Sequence, residues 1–263
     1  MDAHLLRVKL PDAELPALER LSLSGNIVDL VAFLNRCPRL QVLRVTYREV
    51  EPSLLEAALV ALKVPLELGL IVFLLGIEFG QSHENYDMED AQFASILHAA
   101  ARLSPRELVF ITDFDRCFRA DLPCFPNATS ITMTLRSVCF TQQMLNDPFL
   151  ALERLSLQRY RCTILDLDNM VARCPRLRVL KVNADRSAQV VTIRSTSLQE
   201  LELGVCEGQC EGIDIDTPLL TQHKLGVDAD SNLNMSIWEP MVEMFLYWFS
   251  YMLTLYFFDV LSF

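Results

Sequence analysis

The stretch Ala17-Leu-Glu-Arg-Leu-Ser-Leu23 is followed by Arg36-Cys-Pro-Arg-Leu-Gln-Val-Leu-Arg-Val45, and both return later in the chain. The second copy runs Ala151-Leu-Glu-Arg-Leu-Ser-Leu157, then Arg173-Cys-Pro-Arg-Leu-Arg-Val-Leu-Lys-Val182, with three more residues between its halves. Matches of this length do not arise from composition. Each half reads L-x-x-L-x-L, with a hydrophobic residue allowed at the third position.

That pattern has a physical reading. The closing L-x-L alternates, so two leucines face one side of a short strand and the residue between them faces the other. The first leucine packs where the chain enters the strand. One such strand cannot bury its apolar side alone, whereas stacked copies cover one another and form a continuous spine. Each buried leucine gains roughly 2 kcal/mol on leaving water. The expected fold is therefore α/β: a leucine-rich-repeat solenoid, or horseshoe, with short parallel strands on one face and helices or irregular segments on the other.

Outward from these copies the chain continues the theme. LLRVKL (5–10) is a first strand of the pattern. Ile27, Leu30, Val31 and Leu34 fall on one helical face, with Asn26 as N-cap and Pro38 beyond the end. The next strand begins at Leu40, 22 residues after Leu18, so strand, helix and strand complete one repeat. A second helix is expected over 54–62, and the apolar run 66–80 reads as a buried strand with a blurred pattern. An irregular acidic insertion follows at about 80–106. Within it Phe93, Ile96, Leu97 and Ala100 make a helix face, preceded by acids that suit a helix N-terminus. Strands resume at 107–111 and 128–135. Ile164, Leu167, Val171 and Cys174 form another helix stripe, LQELEL (198–203) a further strand, and Leu220 and Leu225 one more degenerate repeat. The repeat domain is taken as 1–240, and 241–263 as a hydrophobic, aromatic C-terminal tail.

Composition excludes several functions. The net charge of −11 opposes nucleic acid or an anionic membrane surface as the main partner. Eight cysteines in 263 residues are too sparse for a disulfide scaffold, and the start MDAHLLRVKLPD has no apolar signal region. These features point to reduced thiols in a cytoplasmic or nuclear protein. Residues 244–258 carry no charge, but that run falls short of the roughly 20 residues that span a bilayer. Glu243 and Asp259 flank it without a basic anchor. The tail is expected to pack on the open end of the solenoid, or to be a poorly folding end from an altered reading of the gene.

Candidate chemistry is thin. Cys206, Cys210 and His223 lack a fourth zinc ligand and the usual tight pairing. His83, Glu84, Asp87, Glu89 and Asp90 do not follow a calcium-loop spacing. Cys37 and Cys174, each before a proline in the repeated element, read as small buried hydrophobes rather than nucleophiles. No phosphate-cradling glycine loop or nucleophile elbow is present. The chain is accordingly read as non-enzymatic, with no catalytic, cofactor-binding or metal residue and no cofactor. The residues between the leucines are the candidates for protein binding: Arg20, Ser22, Arg44, Thr46, Arg154, Ser156, Gln158, Lys181, Asn183, Glu200 and Glu202.

ALERLSL, the RCPRLRVLKV element, SLQELEL and IDIDTPLL together resemble the leucine-rich-repeat region of plant F-box/LRR proteins, especially the large grass set. The resemblance covers roughly 5–240. It implies a substrate-recognition arm of a ubiquitin-ligase receptor, in which an F-box before the repeats binds a Skp adaptor. Here the repeats begin by Leu5, so the expectation is a truncated or F-box-less relative with a protein substrate as partner, and a Skp adaptor only if an F-box lies upstream. Two alternatives stay open: a membrane-associated repeat protein held by the segment after Met241, and the product of a decaying gene copy.

Overall fold

The computed structural model describes residues 19–24, 41–47, 74–79, 89–112, 118–135, 138–140, 148–160, 167–184, 190–205, 211–227, 234–238 and 244–249. The strand expected at 5–10, the helices expected at 27–34 and 54–62, and the run 66–73 lie outside those residues.

Ten strands form one parallel sheet. In chain order they are β1 (Arg20–Ser24), β2 (Val42–Tyr47), β3 (Leu74–Phe79), β4 (Glu107–Thr112), β6 (Ser130–Leu135), β8 (Arg154–Tyr160), β9 (Val179–Ala184), β11 (Glu200–Val205), β13 (Gln222–Val227) and β15 (Met244–Phe249). They lie side by side in that order. Parallel neighbours require the chain to cross back between them. The crossings carry α1 (Asp90–Arg102), α2 (Leu167–Ala172) and five short strands: β5 (Phe118–Ala120), β7 (Val138–Phe140), β10 (Val190–Arg194), β12 (Gly212–Asp216) and β14 (Asn234–Trp238). This is the leucine-rich-repeat solenoid that the alternation demands.

The spine follows the pattern even where its leucines are replaced. Leu155, Leu180 and Leu201 share a register row that continues to His223 in one direction and to Ile131 and Leu108 in the other. The next inward row holds Ile77, Phe110, Met133, Leu157, Val182, Leu203 and Leu225. All of these are buried. The strand-entry leucines Leu152, Leu177, Leu198 and Leu220 are buried as well, and Ala128 holds the equivalent place before β6. Just past each entry residue the backbone is tied to the previous repeat. The N–H of Glu153 donates to Thr129 at 2.9 Å, that of Arg178 to Glu153 at 2.9 Å, and that of Gln199 to Arg178 at 2.8 Å.

Within the segment read as an irregular insertion, α1 is regular. Asp90 occupies its first turn, and the Gln92 side chain accepts the Glu89 N–H at 3.0 Å. Phe93, Ile96, Leu97 and Ala100 are fully buried, as their spacing predicts. Phe93 stacks on Phe118 at 5.1 Å and meets the edge of Phe110 at 5.7 Å, which clamps α1 between β4 and β5. The helix stops at Ser104, whose φ of 46° is left-handed, and Pro105 follows.

Beside its helices and irregular segments, the back of the solenoid carries short strands. There β10, β12 and β14 form a three-stranded parallel sheet, and β5 pairs with β7. Val191, Ile193, Ile213 and Ile215 turn inward from β10 and β12 and are buried. Helix α2 lies along β10. Asp168 accepts the Arg194 N–H at 3.0 Å and its guanidinium at 3.1 Å, while Asp214 on β12 takes the other arm of that guanidinium at 3.0 Å.

Met244–Phe249, placed by sequence in the tail, pairs with β13 through six register partners and occupies the end of the ten-stranded order. Among the described residues, no helix is long and apolar enough to cross a membrane.

Candidate functional site

The face of the ten-stranded sheet opposite the spine presents the residues between the leucines. Their rows follow from the register. The central row runs Ser22, Arg44, Gly76, Val109, Thr132, Ser156, Lys181, Glu202, Lys224 and Leu246. One row to the strand-entry side, Arg20 lies beside Val42, Arg154 between Ser130 and Val179, and Glu200 between Val179 and Gln222. On the other side Thr46 is beside Glu78, and Asn183 beside Gly204. Strand β8 bulges after Leu157, so Gln158 pairs with Thr134 but not with Asn183. Its side-chain amide instead donates to the Ser156 hydroxyl at 3.5 Å.

By register the eleven candidates fall in these rows without forming one cluster. Arg20, Ser22, Arg44 and Thr46 belong to β1 and β2; the other seven belong to β8, β9 and β11, with β3, β4 and β6 between. At about 4.8 Å per strand, β2 and β8 are roughly 19 Å apart along the sheet.

The gap is filled by residues the repeat pattern did not single out. Val109 and Ile111 on β4, and Thr132 and Thr134 on β6, are half-buried, each alternating with a buried neighbour. The centre of the face is thus aliphatic and hydroxyl-bearing. The signal was available in the period-two alternation of ELVFIT and SITMTL, which carry Phe110 and Met133 where leucine was sought. Beside Val109, Gly76 leaves room for Arg44: a Cβ there would stand 3.2 Å from the Arg44 Cγ. Gly204 likewise lies under Asn183, 3.2 Å from its Cγ if it carried a Cβ.

At one flank the charges are paired. Glu202 accepts from Lys224 at 2.9 Å, and Lys181 stands 3.4 Å from its other oxygen. The Lys224 hydrogen bond holds the Glu202 carboxyl below its ordinary value, with Lys181 adding to it against partial burial. Two lysines on one glutamate leave the strip with an excess positive charge, on a chain whose net charge is −11. The pattern does not mark Lys224, because its repeat carries His223 at the leucine position.

The other chemical candidates sit elsewhere. Cys174 is 1% exposed, and its thiol donates to the Met170 carbonyl at 3.2 Å. Burial pushes it up from 9.0 to about 12, with Cys124 contributing, so it is a protonated core group at neutral pH. His223 is buried in the spine row, while Cys206, Cys210 and His83 lie outside the described residues, as does Cys37. Glu89 and Asp90 begin α1. Among the described residues, no three His, Cys, Asp or Glu groups converge as metal ligands would.

A stacked parallel sheet with a leucine spine and one long polar-and-aliphatic face defines a leucine-rich-repeat interaction scaffold. The comparison with known families makes this specific. The model built on the LRR repeats of FBD-associated F-box protein At5g56370 matches residues 93–239, and the chain belongs to that leucine-rich-repeat family. No curated protein and no solved structure matches it.

Proposed function

We propose that the chain captures a protein on the ladder face of its ten-stranded sheet, as the substrate-recognition arm of an F-box ubiquitin-ligase receptor does. The observation that carries this is the composition of the face. Val109, Ile111, Thr132 and Thr134 form a half-buried centre, with Arg44 on one flank and Lys181, Glu202 and Lys224 on the other. A half-buried aliphatic and hydroxyl-bearing centre between charged flanks suits a protein interface. The eleven inter-leucine candidates belong to its flanks. The reading is non-enzymatic and needs no cofactor; a Skp adaptor would join through an F-box segment. Cytoplasm or nucleus is the matching compartment.

The test is comparative affinity capture from plant extract on the immobilised full chain. One variant combines Val109→Arg and Thr132→Arg; a second replaces Arg44, Lys181 and Glu202 with alanine. Ser236→Arg, on the exposed side of β14, is the control. Proteins retained by the parent chain are expected to be lost from both ladder-face variants at unchanged melting temperature, and kept by Ser236→Arg. An unchanged retained set on the ladder-face variants would remove the surface assignment.

A further inference from the structure

A groove of about 460 Å³ crosses the strand-entry rim, away from the ladder face. It arises from the repeat itself. The entry leucines Leu177, Leu198 and Leu220 point into the core, so the residues flanking them are left on the rim. Pro175, Arg176 and Arg178 flank the first; Thr196 and Gln199 flank the second; Leu219 precedes the third, and Glu153 closes the end toward β8. Hydrogen bonds tie the rim together here. The Ser197 hydroxyl donates to the Leu177 carbonyl at 2.9 Å, and the Ser195 hydroxyl accepts the N–H groups of Ser197 and Leu198, each at 3.2 Å.

The chemistry of the groove is directional. Arg176 and Arg178 lie two residues apart at the entry to β9, are exposed, and have no side-chain partner among the described residues. Two steps along the sheet, Leu219 is 47% exposed. Thr196 and Gln199 supply hydroxyl and amide groups between them. Unpaired guanidinium forks fit a carboxylate. Two strand spacings, roughly 10 Å, correspond to about three extended residues.

We propose that this rim groove is a second docking site, separate from the ladder face, for an extended acidic peptide. Its carboxylate side chain pairs with Arg176 and Arg178, and an apolar residue about three positions away packs on Leu219. The partner is a protein segment in which an isolated Asp or Glu is spaced from an aliphatic residue.

The probe is an amidated heptapeptide, Leu-Ala-Ser-Asp-Ser-Ala-Leu, labelled with fluorescein on its N-terminal amine, which offers the apolar residue in either direction. It is titrated against the full chain by anisotropy at low salt. Controls replace its Asp by Asn, or both Leu by Ser, and inorganic phosphate is a competitor. The Asp peptide should bind about tenfold more tightly than either control, the scale of one lost charge-assisted contact or one lost apolar contact. The preference for Asp over Asn should vanish when Arg176→Ala and Arg178→Ala are combined, and persist in the Val109→Arg, Thr132→Arg chain. Circular dichroism melts establish that the arginine variant is folded; should it not be, Leu219→Ser replaces it and must abolish the advantage of Leu over Ser. Equal binding of the Asp and Asn peptides, no binding, retention by the folded arginine variant, or phosphate binding without peptide discrimination would each overturn the proposal.

Discussion

At the scale of single residues, Glu202 and Cys174 show how the repeat sets the state of a group. Glu202 stands between two lysines because the register of β9, β11 and β13 places Lys181 and Lys224 directly on either side of it. Its carboxyl is expected to titrate below 4.5 in a carbon-detected NMR titration. Lys224→Met should raise the midpoint more than Lys181→Met, since Lys224 makes the shorter contact. The folded value being depressed, the associated stability is present above 4.5 and fades as pH falls through the folded midpoint; as the group is well exposed, the effect is small. Cys174 behaves in the opposite sense. With a folded value near 12 against 9.0, it is a neutral thiol in both folded and unfolded states at neutral pH. Stability falls as pH rises from 9.0 toward 12, where the unfolded thiol ionises and the buried one does not. In urea unfolding the stability difference between the parent chain and Cys174→Ala should shrink over that interval; a difference independent of pH would show that the thiol is not held in the core.

At the scale of elements, the helix on the back of the sheet depends on a side-chain bridge. The first edge of β10 would present unpaired backbone groups where α2 covers it, and Asp168 satisfies the Arg194 N–H. Asp168→Ala removes both that bond and an ion pair, whereas Asp214→Ala removes only an exposed ion pair. The first substitution should therefore cost about 1 kcal/mol and the second less than half of that in chemical denaturation. Equal costs would mean that the backbone contact contributes nothing. The elements also show what the residues made legible. L-x-x-L-x-L announces a strand wherever leucine or valine fills it, so β8, β9 and β11 could be read directly. Phe93, Ile96, Leu97 and Ala100 announced α1 by their spacing. The back strands β10, β12 and β14 could not be read in the same way. Five residues of alternating hydrophobicity, such as GIDID, carry too few positions to stand out, and they become strands because adjacent repeats offer backbone partners at matching register.

At the scale of the whole molecule, parallel stacking turns local alternation into a continuous surface. The family match spans 93–239, while the spine register extends from β2 and β3 through β13. The candidate face is only partly legible in the sequence because the L-x-x-L-x-L pattern is cleanest in the repeats at its two ends. Those repeats supplied the flanks. The centre, Val109 to Thr134, sits between Leu108, Phe110, Ile131 and Met133, where varied hydrophobic residues obscure the pattern without altering the fold. The spine tolerates such exchanges because a buried row requires apolar volume rather than leucine itself.

The most direct test of the ladder face as the interaction surface is site-specific photo-crosslinking. Thr132 at the centre of the face and Ser236 on the back are replaced, one at a time, by p-benzoylphenylalanine in the full chain. Each protein is irradiated in plant extract. Discrete adducts from position 132, reproducible and missing from position 236, are the expected result; adducts from 236 alone, or the same set from both positions, would contradict it.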